Sequence, residues 1–180
     1  MNVQLARAVL SCFLIAFFTV AVGARQSQEQ QQPSLEDTTK WLTEKLPSLA
    51  GWVQGEKSSK IDSVEFHGCT LTYRDTFTST IGFISTISIP MANIDPDVKV
   101  GARSPRYQCI LKTITGRSNT IKVETAGVAG GRISRDTRSG LGDSLTSRIE
   151  IDFSDEATAE RFAKAFARLA TLCAAKKEPF

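Results

Sequence analysis

The feature that most limits the possible folds is a change in apolar spacing near residue 154. In RIEIDF every second residue is apolar, which is typical of a strand with one buried face. Directly after it, apolar residues recur at every third or fourth position, which is typical of an amphipathic helix. The sequence therefore predicts a strand that leads straight into a helix over residues 155–173. The apolar stripe of this helix comprises Ala159, Phe162, Ala163, Phe166, Leu169, Ala170 and Cys173.

Polar residues mark the predicted beginnings of two helices. Ser154 is the expected N-cap of the C-terminal helix, because its hydroxyl can accept a hydrogen bond from a free backbone N–H. Near the N-terminus, Ser34 and Asp37 have the spacing of a capping box. The helix that begins there is predicted to end at Leu46, because Pro47 disfavours the α conformation in the residue before it.

Between the two helices, apolar and polar residues alternate in several short segments. The clearest are SVEFHGCTLTYRD, GFISTISIP, RYQCILKTI, NTIKVET and SRIEIDF. Gly68 interrupts the first segment and permits a tight turn. The residues TGRSN, the last of which opens the fourth segment, connect the third and fourth segments, and this length predicts a hairpin between them. A helix, about seven strands and a second helix, in that order, indicate the α+β class.

This order of elements resembles the pleckstrin-homology-like superfold. The likeness covers residues 61–180 and includes the tail FSDEATAERFAKAFARLATLC with KKEPF, which also resembles exported bacterial proteins of unknown function. It implies a bent antiparallel sandwich or partly open barrel of about seven strands, capped by the C-terminal helix, with the N-terminal helix as an extra element. Relatives that bind phosphoinositides use basic residues around the first hairpin. The matching turn here, FHGCT, has none, so inositol-lipid binding is not implied.

The first 24 residues, MNVQLARAVLSCFLIAFFTVAVGA, have the pattern of a signal peptide. Arg7 precedes an apolar run that ends with small residues up to Ala24. The run is shorter than the roughly 20 apolar residues that a membrane-spanning helix needs, so we expect cleavage near Ala24. A retained membrane anchor and a lipoprotein acylated at Cys12 are the alternative interpretations.

Three regions are therefore expected along the chain. Residues 1–24 form the signal peptide, residues 25–33 a flexible Gln-rich linker, and residues 34–180 a single α+β domain. The mature protein would be exported to a periplasm or out of the cell, without a transmembrane helix.

The composition argues against several classes of partner and cofactor. Removal of Arg7 with the leader lowers the formal charge from +3 to +2, and such a nearly neutral chain does not indicate nucleic-acid binding. No CxxC pair or cluster of cysteine and histidine suggests a zinc site. Asp95 and Asp97 lack the glycine and the glutamate of a calcium-binding loop, so they predict a turn. We therefore expect neither a cofactor nor a metal.

Three cysteines follow the predicted leader, and they allow one intramolecular disulfide in an oxidising compartment. The preferred pair is Cys69 with Cys173, which ties an early strand to the last helix. Closing a loop of about 100 residues would stabilise the fold by up to roughly 4 to 5 kcal/mol. The alternatives are a pair between Cys69 and Cys109 or three buried free thiols.

Residues 126–146 form a glycine-bearing segment that is longer than the usual loop of a compact domain. One interpretation is a mobile, solvated hairpin tip. The other is a cationic arm that binds an anionic partner, such as a phospholipid head group or an acidic glycan. The predicted ligand-binding residues on that interpretation are Arg132, Arg135 and Arg138, assisted by Arg103 and Arg106.

No catalytic residue is predicted. His67 is the only histidine, it lies beside a turn, and no nucleophile motif of the GxSxG type is present. The sequence thus predicts an exported, non-catalytic binding or interaction module of the cell envelope, whose ligand or protein partner is unknown. The alternatives are a small exported hydrolase, using His67 or scattered carboxylates, and a structural or assembly protein.

Overall fold

The structure is a computed structural model, and it describes residues 32–79, 82–114, 120–129, 132–134 and 144–176. These residues belong to the compact unit Pro33–Phe180. The predicted signal peptide and most of the predicted linker lie outside the described residues.

The elements follow one another in an order that confirms the α+β class, with antiparallel sheets and a helix at each end. A short 3₁₀ turn, Met91–Asn93, follows the fourth strand. In chain order the elements are α1 (Leu35–Leu49), β1 (Gly51–Gln54), β2 (Lys57–His67), β3 (Thr70–Thr78), β4 (Gly82–Pro90), β5 (Lys99–Arg103), β6 (Arg106–Lys112), β7 (Ile121–Ala129), β8 (Arg132–Ser134), β9 (Ser144–Thr146), β10 (Arg148–Phe153) and α2 (Glu156–Ala175).

The strands of the described residues form two antiparallel sheets. The larger sheet has seven strands in the order β1-β2-β3-β4-β7-β8, with β9 also paired to β7. The smaller sheet has the order β10-β6-β5. The larger sheet is not closed into a barrel, because β1 and β8 end the strand order. The predicted total of about seven strands is not confirmed, since the larger sheet alone has seven.

The hairpin predicted between the segments that contain Cys109 and Val123 is wrong. β6 pairs with β5 and β10, whereas β7 crosses to the larger sheet and pairs with β4. A period of two indicates which face of a strand is buried, and that face stays the same whichever strand lies beside it. The pattern therefore predicts the strands without specifying their partners.

Helix α1 begins as predicted and ends later than predicted. The Asp37 N–H donates to Ser34 Oγ at 3.1 Å, and the Ser34 N–H donates to Asp37 Oδ2 at 3.2 Å, which completes a capping box. The predicted end at Leu46 is wrong, because the helix continues through Pro47 to Leu49. The last turn is still closed, since the Ala50 N–H donates to the Leu46 carbonyl at 3.0 Å.

Helix α2 follows β10 directly, as the change in apolar spacing predicts. Its N-cap is Asp155 and not Ser154, which is a correction of one residue. The Asp155 carboxylate accepts a hydrogen bond from the Thr158 N–H at 2.8 Å, and this bond holds the pKa of Asp155 below its usual range. A carboxylate also suits the positive end of the helix dipole better than a hydroxyl does.

The apolar face of α2 lies in the hydrophobic core. Phe162 and Phe166 have no exposed surface. The Phe162 ring centroid is 4.7 Å from that of Trp41 on α1 and 4.7 Å from that of Phe153 on β10. A single side chain thus joins both helices and the smaller sheet.

A disulfide connects the turn after β2 to α2. It pairs Cys69 with Cys173, whose Cα atoms are 5.6 Å apart, and this is the pairing preferred from the sequence. Cys109 is a buried free thiol whose Sγ donates to the Ala159 carbonyl at 2.9 Å, and burial raises its pKa to about 12.

No helix among the described residues has the length and hydropathy needed to span a membrane. This finding and the disulfide are both compatible with an exported protein.

Replacing Phe162 with alanine should lower the free energy of unfolding by about 3 to 5 kcal/mol, because it removes the ring shared by three elements. Urea denaturation followed by circular dichroism measures the change. Lys164→Ala, on the exposed side of the same helix, is the matched control and should change the value by less than about 0.5 kcal/mol. Equal stability of the two variants would contradict the role given to Phe162.

Replacing Cys173 with serine should lower the free energy of unfolding by up to about 4 to 5 kcal/mol, since the disulfide closes a loop of 104 residues. Cys109→Ser is the control, because Cys109 is outside the bridge and serine keeps a donor for the Ala159 carbonyl. Mass spectrometry should show that reduction adds two hydrogens to the control and none to Cys173→Ser. A control that gains no hydrogens would refute the pairing.

Candidate functional site

Three aromatic side chains lie in one cross-strand line on the larger sheet. The register places Trp52 opposite Ser59, Ser59 opposite Phe77, and Phe77 opposite Phe83. Directly opposed residues share one face of a sheet, so the three rings lie on the same side. The ring centroids are 5.9 Å apart for Trp52 and Phe77, and 4.8 Å apart for Phe77 and Phe83. We call Trp52, Phe77 and Phe83 the aromatic row.

The aromatic row is half-buried and lies outside the hydrophobic core cluster. Along β3, Leu71, Tyr73, Asp75 and Phe77 share one face, because alternate residues of a strand point to the same side. Leu71 and Tyr73 belong to the core, whereas the polar Asp75 separates the core from Phe77. Four adjacent strands span roughly 14 Å at the usual strand spacing. The row therefore forms a narrow aromatic surface on the side of Asp75 that faces away from the core.

Arg106 covers one end of the aromatic row. Its guanidinium carbon lies 4.2 Å from the centroid of the Trp52 ring, which is a cation–π contact. Its Nε lies 3.3 Å from Asp152 Oδ1, and only 15 and 16% of these two side chains are exposed. Gln108 Nε2 donates to the same carboxylate oxygen at 2.9 Å. Burial raises the pKa of Asp152, although the Gln108 and Arg106 contacts oppose this effect.

Asp75 is a partly buried carboxylate with a different environment. Ser59 Oγ donates to Asp75 Oδ1 at 2.8 Å, but the described residues give Asp75 no ion pair with a cation. Burial raises its pKa, and the neighbouring Asp152 and Asp62 add to this effect. An ionised carboxylate in such a position disfavours folding, and groups of this kind concentrate at functional sites.

A small cavity of about 30 Å³ lies between Asp75 and Asp152. Tyr73 also lines it, and only 3% of this residue is exposed. No hydrogen bond of the Tyr73 hydroxyl is found within the described part of the chain. Burial raises the pKa of Tyr73, as do the charges of the two carboxylates. The volume suits one group of the size of water, which needs polar partners of this kind.

Gly51 closes the rim of this cavity where β1 starts. Its φ of +123° lies in a region that favours glycine, and an added Cβ would collide with the Ser59 carbonyl oxygen. The backbones of β1 and β2 therefore approach closely at this point, and the cavity is bounded by main chain on one side.

Of the predicted ligand-binding arginines in the described residues, Arg106 lies in this site, and Arg103 is near enough for its charge to lower the pKa of Asp152. Arg106 stacks on Trp52, and the exposed Arg103 lies opposite Arg106 in the β5–β6 hairpin. Arg132 lies in β8, and nothing is described of its side chain. Arg135 and Arg138 lie outside the described residues. The prediction of one long loop over residues 126–146 is partly wrong, because parts of β7, β8 and β9 fall within it.

The other polar residues singled out from the sequence lie away from the site. His67 is exposed, and its Nε2 is 3.4 Å from Glu65 Oε2. The Asp97 N–H donates to Asp95 Oδ1 at 2.9 Å, which is the geometry of the predicted turn. Within the described residues, no group of three potential ligands could hold a metal ion.

Reasoning from the sequence missed most of the site. Asp152 occupies a polar position in the strand RIEIDF, which was predicted correctly. The alternation of that strand predicts that its polar residues face solvent, and it gives no sign of a functional site. Trp52 lies in β1, which has four residues and no extended alternation. The sequence does show that Phe77 and Phe83 lie near the ends of two segments of alternating residues. That placement could have indicated an aromatic surface.

No protein-family model, curated protein or solved structure matches this chain. The resemblance to the pleckstrin-homology-like superfold therefore stays an expectation.

Replacing Asp75 with asparagine should increase stability at pH 7, because asparagine keeps an acceptor for Ser59 and carries no charge. The raised pKa of Asp75 means that its contribution favours folding below the ordinary aspartate pKa, about 3.9, and is lost as the pH rises through the folded-state value. The advantage of Asp75→Asn should therefore shrink below about pH 4.

Urea denaturation at several pH values measures this difference. Glu44→Gln, on the exposed side of α1, is the control and should behave like the wild type. Wild-type stability that exceeds that of Asp75→Asn at pH 7 would contradict the description of Asp75 as a charge without a cationic partner.

Proposed function

We propose that this protein is an exported, non-catalytic module that binds a glycan of the cell envelope through the aromatic row. The observation that carries the proposal is a line of three half-buried rings beside the ion pair of Arg106 and Asp152. Sugar rings have apolar C–H faces that pack on aromatic rings, and hydroxyl groups that hydrogen-bond with charged side chains. The site offers both kinds of contact at adjoining positions.

The polar end of the site is held in place before any ligand arrives. Arg106 is fixed between Trp52 and Asp152, and Gln108 holds Asp152 in turn. A side chain that is already ordered loses little conformational entropy on binding, so its contacts contribute more to affinity. This arrangement supports recognition of a ligand rather than a purely structural role.

The shape of the site favours an elongated ligand. The row crosses four strands in one line, and the adjoining cavity of about 30 Å³ is smaller than a sugar ring. A glycan chain can therefore lie along the rings and place one small substituent in the cavity. Export of the chain, with cleavage near Ala24 and one domain over residues 34–180, belongs to the same proposal.

One observation favours the hydrolase alternative, since Asp75 and Asp152 both have raised pKa values, as an acid in glycoside hydrolysis does. Hydrolysis, however, requires the glycosidic bond to lie between the two carboxyl groups. The cavity between them has room for one small group only. Binding is therefore the function that the geometry supports better than hydrolysis.

Replacing Trp52 or Phe77 with alanine should weaken glycan binding at least tenfold, or by about 1.4 kcal/mol, because each removes part of the stacking surface. Sedimentation of the purified protein with peptidoglycan, and calorimetry with N-acetylglucosamine oligomers, measure the affinity. Val53→Ala is the matched control, because Val53 adjoins Trp52 and is 76% exposed.

Undiminished binding by both aromatic variants would refute the assignment of this site. Loss of binding on substitution of Arg132, Arg135 and Arg138 alone would instead move the ligand to the arginine segment. Release of shortened oligomers during the incubation would support the hydrolase alternative.

A further inference from the structure

Asp75 connects the aromatic row to the cavity. On β3 it lies two residues before Phe77 and two residues after Tyr73, so the three side chains share one face of the strand. Asp75 and Tyr73 both line the cavity, whereas Phe77 stacks with Phe83 beyond it. A ligand on the row is therefore next to the Asp75 carboxylate.

The charged groups around Asp75 are acidic. On β2, Asp62 is acidic, and the Ser59 hydroxyl and the Lys60 backbone N–H donate neutral hydrogen bonds to Asp75. On β10, Asp152 and Glu150 line the same cavity. Arg106 on β6 is paired with Asp152 and not with Asp75. The charge of Asp152 is therefore compensated by Arg106, whereas Asp75 forms no ion pair with a described residue.

The cavity offers a further group that lacks a partner. Only 3% of Tyr73 is exposed, and no described residue hydrogen-bonds to its hydroxyl where it lines the cavity. A hydroxyl can accept a hydrogen bond from one donor while the carboxylate accepts from another. The complement to this pair is a small group with several donors and a positive charge.

An ammonium group has these properties. It donates three hydrogen bonds, is of a size similar to water, and interacts favourably with the faces of aromatic rings such as Phe77. A sugar hydroxyl also fits the volume, but it leaves the charge of Asp75 without a counter-charge. An N-acetyl group is neutral, so it also leaves the charge of Asp75 without a counter-charge.

We infer that the ligand is an amino-sugar glycan with free amino groups, one of which binds between Asp75 and Tyr73. This inference rests on the proposed function, because it places the sugar ring on the aromatic row. It adds a specificity to that function, since the site distinguishes a free amine from its acetylated form. Asp75 and Tyr73 are the residues that determine this specificity.

Calorimetry with two probes of equal length tests the inference. The probes are glucosamine oligomers and N-acetylglucosamine oligomers, compared at about pH 6, below the usual pKa range of amines. The wild type should bind the free-amine form at least tenfold more tightly, and Asp75→Asn should bind both forms about equally. Tyr73→Phe, which removes only the hydroxyl, should reduce the preference by a smaller factor.

Two controls separate this specificity from general binding. Phe83→Ala shortens the aromatic row beyond the cavity and should weaken the binding of both probes to a similar extent. Glu44→Gln lies on α1, away from the site, and should bind both probes as the wild type does.

Failure of the inference differs from failure of the proposed function. Equal affinity of the wild type for both probes, or a preference that persists in Asp75→Asn and Tyr73→Phe, overturns the amine specificity and leaves glycan binding intact. A wild-type protein that binds neither probe overturns both.

Discussion

Phe162 of α2 packs at 4.7 Å against Trp41 and at the same distance against Phe153, and the relative position of the two sheets depends on these contacts. Helix α1 packs on β2 of the larger sheet, and Ala50 at its end bridges Phe153, so these contacts hold β10, and through it β6, beside the larger sheet. Because Asp152 and Arg106 belong to these two strands, the same packing brings them to the aromatic row. The position of the proposed binding surface therefore depends on helix packing at a distance from it.

Local patterns in the sequence predict the helices and strands of this fold, but they predict little about which strands pair. The stripe that contains Phe162 and the capping box at Ser34 depend on residues within a few positions, so both could be read directly. The pairing of β6 with β10 depends on which strand crosses between the sheets, and alternation carries no such information. Asp75 and Trp52 were missed for the same reason, since only cross-strand register brings them together.

Asp152 and Asp75 are both partly buried carboxylates, but they have different hydrogen-bonding partners. Asp152 has a guanidinium and an amide within hydrogen-bonding distance, whereas Asp75 has the Ser59 hydroxyl and the Lys60 backbone N–H, neither of which carries a charge. The protein thus tolerates an unfavourable charge at Asp75 that asparagine would avoid. Stability given up at one position is common where a ligand supplies the missing contact.

The disulfide adjoins one end of β3 and the aromatic row lies near the other. Cys69 immediately precedes Thr70, and Phe77 is seven residues further on, or roughly 23 Å in an extended strand. The disulfide and the surface proposed to bind a sugar therefore lie towards opposite ends of β3. In the proposed function, the bridge would stabilise the fold without contacting the ligand.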